Sequence, residues 1–304
     1  MSDRPLKIGV QLPEVERQVR WPELLDMIRA IEDLGYDSIW VGEHLLYRWS
    51  DQPARGPWEA WTELAAIAAS TSRVEFGPLV ACTNFHNPAL LAKQAATIDE
   101  ISGGRFVLGL GAGWNEPEFR AFGFPFDHRI DRFEESFTII RTLLRDGAID
   151  FDGRFYQARD CELLPRARAG GPPLMIGSKG PRMLRIALPH VDSWNVWYSD
   201  TANSPDAVPP LRDLVDDVCR EVGRDPLDIE RTVAIRVQFE DGTGRSEGID
   251  DEDLVVPLSG SPEHMAEELR AYAREGIQHV QLVMDPITRA SIEAFTPVLR
   301  LLEA

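Results

Sequence analysis

Apolar positions along the chain fall into two alternating rhythms. Short runs of aliphatic residues, apolar on both faces, read as strands covered from both sides. Longer runs with apolar residues three and four apart read as amphipathic helices. The expected strands are Lys7–Gln11, Ser38–Val41, Val74–Val80, Arg105–Leu110, Leu174–Ile176, Ser193–Val196, Thr232–Gln238 and His279–Val283. The expected helices are Trp21–Leu34, Pro57–Thr71, Pro88–Ile101, Asp127–Leu144, Gly180–Leu188, Leu211–Val222, Pro262–Glu275 and Thr288–Leu302. Eight βα units in series predict an α/β fold closed into a (β/α)8 TIM barrel, with an open doubly wound sheet as the alternative. No Pro/Gly linker splits the pattern, so residues 1–304 read as a single domain.

Four connections are longer than a barrel needs: Gly42–Gly56, Gly111–Phe126, Gly147–Pro173 and Glu240–Ser261. Long loops on a barrel usually carry function. In the third, Asp152-Gly153 between aromatic and apolar residues predicts a β-hairpin, which could return over the barrel top as a lid. The fourth is acidic and Gly-rich and reads as a surface excursion.

Composition narrows the class. Lys+Arg is 32 and Asp+Glu is 50, a formal net charge of -18. That balance argues against nucleic acid and anionic lipid as partners. The three cysteines, Cys82, Cys161 and Cys219, are far apart and form no C-x-x-C pair, which excludes a zinc ribbon and a disulfide scaffold and fits a reducing cytoplasm. The first residues are polar and run into a strand, so no signal peptide is expected, and no apolar run reaches membrane-spanning length. No H-E-x-x-H or calcium loop occurs, and the six histidines are scattered, so no catalytic metal is expected.

Barrel chemistry sits at the C-terminal ends of the strands. After the second strand come Glu43 and His44, of which only one can face the pocket. His44 is a candidate acid, base or hydrogen-bond partner, or a cap for loop carbonyls. After the third come Cys82, Thr83, Asn84 and His86, groups suited to a polar heterocycle; Asn87-Pro88 is a helix start. Nothing near Cys82 marks it as a nucleophile. After the fourth come Gly111, Ala112, Gly113 and Trp114, which fail the G-x-G-x-x-G dinucleotide spacing. The glycines there let the backbone approach something flat or bulky, with Trp114 packed on it. After the fifth come Gly177, Ser178 and Lys179, one of only three lysines, just before a helix; this is a candidate phosphate loop without Walker spacing. Arg129–Arg132 with Glu134 and Glu135 reads mostly as solvated face. Trp49, Trp58, Trp114 and Trp197 would line the pocket if all point inward, which favours an apolar or aromatic substrate.

These residues resemble the bacterial luciferase-like superfamily. The resemblance runs over Ser38–His44, Cys82–Gly123, Leu174–Leu184, Asp192–Asn195 and Ser261–Gly276, and Ile98–Trp114 is its most specific run. It implies a (β/α)8 barrel, commonly a homodimer. It also implies either coenzyme F420, a deazaflavin, or FMN as cofactor, with a flavin reductase as partner in the second case. His44 matches the histidine beside the reactive ring in deazaflavin-dependent relatives. Leu79–Val80 matches a non-prolyl cis peptide that backs the ring. Cys82–Asn84 and Gly111–Trp114 match the ring-side loops, and Gly177, Ser178 and Lys179 the phosphate loop. Sugar-phosphate dehydrogenases of the deazaflavin branch carry an acid where this chain has Trp114, with Glu116 as a candidate substitute. Three functions follow as expectations: F420-dependent hydride transfer on a small organic substrate, reduced-FMN monooxygenation, and flavin binding without catalysis.

Overall fold

The computed structural model describes residues 4–14, 16–48, 53–242 and 255–303. The chain runs β1 (Lys7–Gln11), α1 (Trp21–Asp33), β2 (Ser38–Val41), α2 (Ala60–Ser70), β3 (Glu75–Pro78), β4 (Ala81–Cys82), α3 (Pro88–Ser102), β5 (Leu108–Gly111), α4 (Glu116–Phe122) and α5 (Arg129–Asp146). It continues through β6 (Ala148–Asp152), β7 (Gln157–Glu162), β8 (Leu174–Gly177), α6 (Pro181–Ala187), β9 (Ser193–Val196) and α7 (Val208–Glu221). It ends with β10 (Glu230–Gln238), α8 (Pro262–Arg274), β11 (His279–Asp285), α9 (Arg289–Ala294) and α10 (Thr296–Leu302).

The main sheet has the order β3-β2-β1-β11-β10-β9-β8-β5-β4, all parallel. Its two ends are β3, inside the expected third strand Val74–Val80, and β4, which begins just past it, and Phe76 bridges to Phe106 at the seam. The order therefore returns on itself: eight staves close into a barrel, and the open-sheet alternative fails. Closure brings backbones very near each other at Gly77, where a Cβ would lie 2.0 Å from the Val107 carbonyl oxygen.

Alternation along the staves makes two layers. Ile8, Val10, Ile39, Val41, Val233, Ile235, Val280 and Leu282 point outward to the helices and form the main core. Trp40, Leu79, Met175, Tyr198, Ala234 and Val283 form a smaller apolar cluster apart from it, with Val80, Val107 and Trp197 packed on it. The same alternation places Trp40, Met175, Ala234 and Val283 in the barrel interior, and Leu79 and Tyr198 join them from just past the ends of β3 and β9. Toward the N-terminal ends, His279 Nε2 lies 2.7 Å from Ser38 Oγ, which also accepts from Trp40 Nε1 at 2.7 Å.

His279 makes a testable contribution. Burial first, then Lys7, pushes its pKa down to about 3. The unfolded chain takes up a proton below about pH 6.5, whereas the native ring does not. Stability from this group is thus complete above 6.5 and is lost as pH falls toward 3, by about 1.4 kcal/mol per unit. Urea denaturation between pH 6.5 and 4.5 should show a shallower decline in His279→Gln than in the parent; equal slopes would refute the assignment.

Local departures from the expected elements have local causes. Helix α2 starts at Ala60 rather than Pro57 because the Glu59 carboxylate caps it, accepting from Trp61 N and Thr62 N. Asn87 caps α3 as expected, accepting from Ala89 N and Leu90 N ahead of Pro88. The hairpin forms as β6 and β7. It lies along α5, where Glu135 accepts from the backbone N–H of Arg154, Phe155 and Tyr156. Its tip reaches the start of α5, with Phe155 against His128 at 5.5 Å and beneath Arg132. Most of the fourth long connection lies outside the described residues. Its last part returns to the barrel, where Leu258 bridges to Val237 of β10.

Candidate active site

The end of β2 delivers one acidic and one basic group in opposite directions. Glu43 turns toward the helices, where its carboxylate accepts from Trp61 Nε1 at 2.7 Å and Cys82 N at 2.6 Å and meets His86 Nε2 at 2.7 Å. It thereby ties the second loop to the third. His44 turns the other way, as the alternation requires. Its Nδ1 is 3.0 Å from Glu118 Oε1 and its Nε2 is 3.5 Å from Glu14 Oε1. The side chain is 16% exposed, against 1% for Glu118 and 5% for Glu14. Tyr47 and Trp114 flank the ring at 4.5 and 5.7 Å.

Each carboxylate is itself anchored. Glu118 accepts from Leu45 N at 2.8 Å and Leu46 N at 3.3 Å. Glu14 accepts from Gln11 Nε2 and from the Tyr47 hydroxyl, both at 3.0 Å. Gly42 gives Glu14 its room, since a Cβ there would lie 2.6 Å from the carboxylate. Burial pulls the His44 pKa down, but Glu14, Glu118 and Glu43 together outweigh it, and the net shift is upward. Burial pushes the Cys82 thiol well up, with Glu43 adding to it, so this cysteine is no nucleophile.

Other expected site residues are also tied to one another. Thr83 and Asn84 do not simply await a heterocycle: Thr83 donates to the Gly111 carbonyl at 3.2 Å, and Asn84 Nδ2 to the Ala112 carbonyl at 2.8 Å. They pin the fourth loop to the third. The glycines there make room for the chain itself, because a Cβ on Gly111 or Gly177 would meet Val80 at 2.8 or 2.9 Å. Gly113, at φ +73, sits against Cys82 and Phe119. Leu79–Val80 is a cis peptide, at the position the resemblance implied. Ser178 Oγ accepts from Gly180 N at 3.1 Å, and Lys179 is ion-paired with Asp200, so the fifth loop is a tethered turn whose cation is already matched.

Of the four tryptophans, Trp114 stands beside His44 and is 65% exposed, and Trp197 packs against the inner cluster, its ring tilted against Tyr198. Trp58 donates to the Val19 carbonyl instead, away from the ring, and Trp49 lies outside the described residues. Glu116 does not stand in for an acid at position 114: it faces solvent, paired with Arg120. The acid at His44 is Glu118, carried by α4, a short helix that the apolar rhythm did not reveal. The signal for it was Pro117, a first-turn residue.

Two buried carbonyl oxygens near this cluster, Gln11 Oε1 and Asn84 Oδ1, have no hydrogen-bond partner. An orphaned buried acceptor is costly, and a bound ring with N–H groups would relieve it. With the exposed indole of Trp114 and the apolar inner cluster below, the residues fit a planar, polar-edged heterocycle. Among the described residues, no group of three or more His, Cys, Asp or Glu is placed to hold a metal ion, and no helix is long and apolar enough to cross a membrane.

Residues 7–244 match the model of a family described as luciferase-like monooxygenase. The chain belongs to that family. An F420-dependent glucose-6-phosphate dehydrogenase of Amycolatopsis mediterranei is 27% identical to this luciferase-like chain over 309 aligned positions, 96% of this chain and 86% of the relative. A pyrimidine monooxygenase, RutA of Rhizobium rhizogenes, is 34% identical over 172, which is 55% of this chain and 47% of the relative. Several curated relatives are matched over only about half their length. An F420-dependent secondary alcohol dehydrogenase, solved with an F420–acetone adduct, shares the fold at a TM-score of 0.82 and 21% identity, covering 98% of this chain and 99% of that one.

Proposed function

We propose that this luciferase-like protein is an oxidoreductase passing a hydride between coenzyme F420 and a small organic substrate, with His44 handling the coupled proton. The observation that carries the reading is the His44 ring held between Glu14 and Glu118 at the barrel mouth, beside Trp114. The bound deazaflavin supplies the two-electron chemistry, which side chains do not perform. Leu79, Val80, Cys82, Thr83, Asn84, Gly111, Ala112, Gly113 and Trp114 would hold its ring, and Gly177, Ser178 and Lys179 its phosphate. The inner cluster under them excludes water, which strengthens every charge interaction at the mouth. The near full-length likeness to an F420-dependent dehydrogenase supports the deazaflavin. Trp114, aromatic and exposed, supports an apolar or aromatic substrate rather than a sugar phosphate. A cytoplasmic homodimer is the setting the family likeness suggests, and sedimentation would measure the oligomer.

The pyrimidine monooxygenases among the relatives favour a second reading, in which reduced FMN from a partner reductase serves an oxygenation. Fluorescence titration of one purified protein with F420 and with FMN separates the two. Tight, selective F420 binding is expected. Selective FMN binding, with oxygen uptake when reduced FMN and substrate are supplied, would replace the first reading by the second.

A further inference from the structure

The proposed function leaves open whether His44 takes a proton or gives one. The ring has a carboxylate at each nitrogen, and the two contacts differ. Nδ1 makes a full hydrogen bond to Glu118, whose carboxylate is 1% exposed and is also fixed by Leu45 N and Leu46 N. Nε2 faces Glu14 at 3.5 Å, a charge contact rather than a close bond, and Glu14 is occupied by Gln11 and Tyr47. Helix α4 locks onto the same loop a second time, with Asn115 Nδ2 donating to the Leu46 carbonyl at 2.9 Å. The grip on His44 therefore comes from an insertion after β5, not from the stave that carries it.

We infer that Glu118 is a positioning residue that keeps His44 as an imidazolium with its Nε2–H available, so that the site is built to reduce its substrate rather than oxidise it. The inference rests on the proposed function for the hydride and deepens it by fixing the direction. When a carbonyl carbon gains a hydride from the reduced cofactor, a C–H bond forms and the C=O π pair moves to oxygen. That oxygen takes the Nε2 proton of His44, the ring is left neutral, and solvent returns the proton. The substrate is reduced by two electrons and the cofactor oxidised by two. A ring held between two carboxylates suits the giving role, because each stabilises its charged form. The ionisable groups facing the ring are Glu14 from the β1 loop, Glu118 from α4 and Tyr47 from its own loop, while Glu43, turned to the other side, acts on it only through its charge; the three carboxylates all favour the imidazolium.

The test reads the ring directly. Long-range proton–nitrogen NMR of the full chain follows the histidine side chains with pH, and His44→Asn identifies the His44 signal. Wild-type His44 is expected to be charged at pH 7 with Nδ1 protonated. Glu118→Gln keeps the shape and removes the charge, and should lower the His44 pKa by roughly 1 unit or more. The high-pH fall of kcat/KM for reduction should shift down by the same amount, and Glu118→Asp should restore part of it. A neutral His44 in the wild type at pH 7 would overturn the inference even if Glu118→Gln did not fold, as would an unmoved pKa in a folded Glu118→Gln. None of these ring titrations needs a cofactor, so a wrong choice between F420 and FMN would leave their outcome unchanged.

Discussion

His44→Ala is expected to lower kcat by about 10²- to 10⁴-fold while cofactor affinity changes little, as for removal of a positioned proton-transfer group. The structure supplies reasons for both halves. The ring sits where the mouth opens, flanked by Trp114 and Tyr47, and its nitrogens point at buried acids rather than at the inner cluster that would lie beneath a bound ring. Removing it leaves Glu118 with the Leu45 and Leu46 N–H groups, so the loop keeps its tether. The measurement is steady-state turnover alongside equilibrium cofactor binding. Unchanged turnover would assign the proton step elsewhere, and no turnover in the parent with any carbonyl substrate would favour a protein that only binds its cofactor. The pH linkage has a definite sign. A histidine pKa raised by folding adds stability that is complete below about 6.5, the unfolded value, and is lost as pH rises through the native pKa. His44 and His279 therefore act in opposite directions, one stabilising the native state in acid and the other destabilising it.

The barrel was legible because its signal is long-range and repeated. Eight apolar runs alternating with eight amphipathic ones define a closed α/β architecture even when the ends of single elements are misplaced. The third stave shows the limit: Val74–Val80 reads as one strand because its apolar character is continuous, yet pairing stops at Leu79–Val80 and resumes at Ala81. Apolarity reports burial, not backbone hydrogen bonding. The site was legible only as far as strand ends could place it. His44 and the loops after β4, β5 and β8 follow from barrel geometry alone. Glu14 and Glu118 do not, since both lie in loops whose paths depend on tertiary contacts. Helix α4 has seven residues, too few for a periodicity to register. Glu116 and Glu118 are also chemically identical in sequence; only the direction of the helix separates the solvent-facing acid from the buried one. Thr83 and Asn84 illustrate a related gap, for a polar side chain at a barrel mouth serves a ligand or a neighbouring carbonyl equally well until the neighbour is known.

Asp285→Ala is expected to cost about 3–5 kcal/mol of stability, the penalty for stranding one partner of a buried ion pair. Arg236 and Asp285 project into the barrel interior from β10 and β11, one layer above Ala234 and Val283, and their charged groups meet at 3.1 Å. Their side chains are 4% and 0% exposed, so solvent screening does not weaken the pair. Asn203 fixes the backbone that carries the guanidinium, accepting from Arg236 N at 2.7 Å and donating to Arg236 O at 3.0 Å. Arg236 Nε already has no partner, which leaves the guanidinium little compensation when the carboxylate goes. Urea denaturation of the single variant against the parent gives the cost. A double replacement by apolar residues, Arg236→Met with Asp285→Leu, should recover most of it, since a buried pair is seldom worth more than well-packed side chains of similar volume. If the double variant is as stable as the parent but turns over poorly, the two charges serve the mouth rather than the fold. If Asp285→Ala alone loses less than about 1 kcal/mol, within the range of a surface pair, then the charge of Arg236 is held by groups other than Asp285.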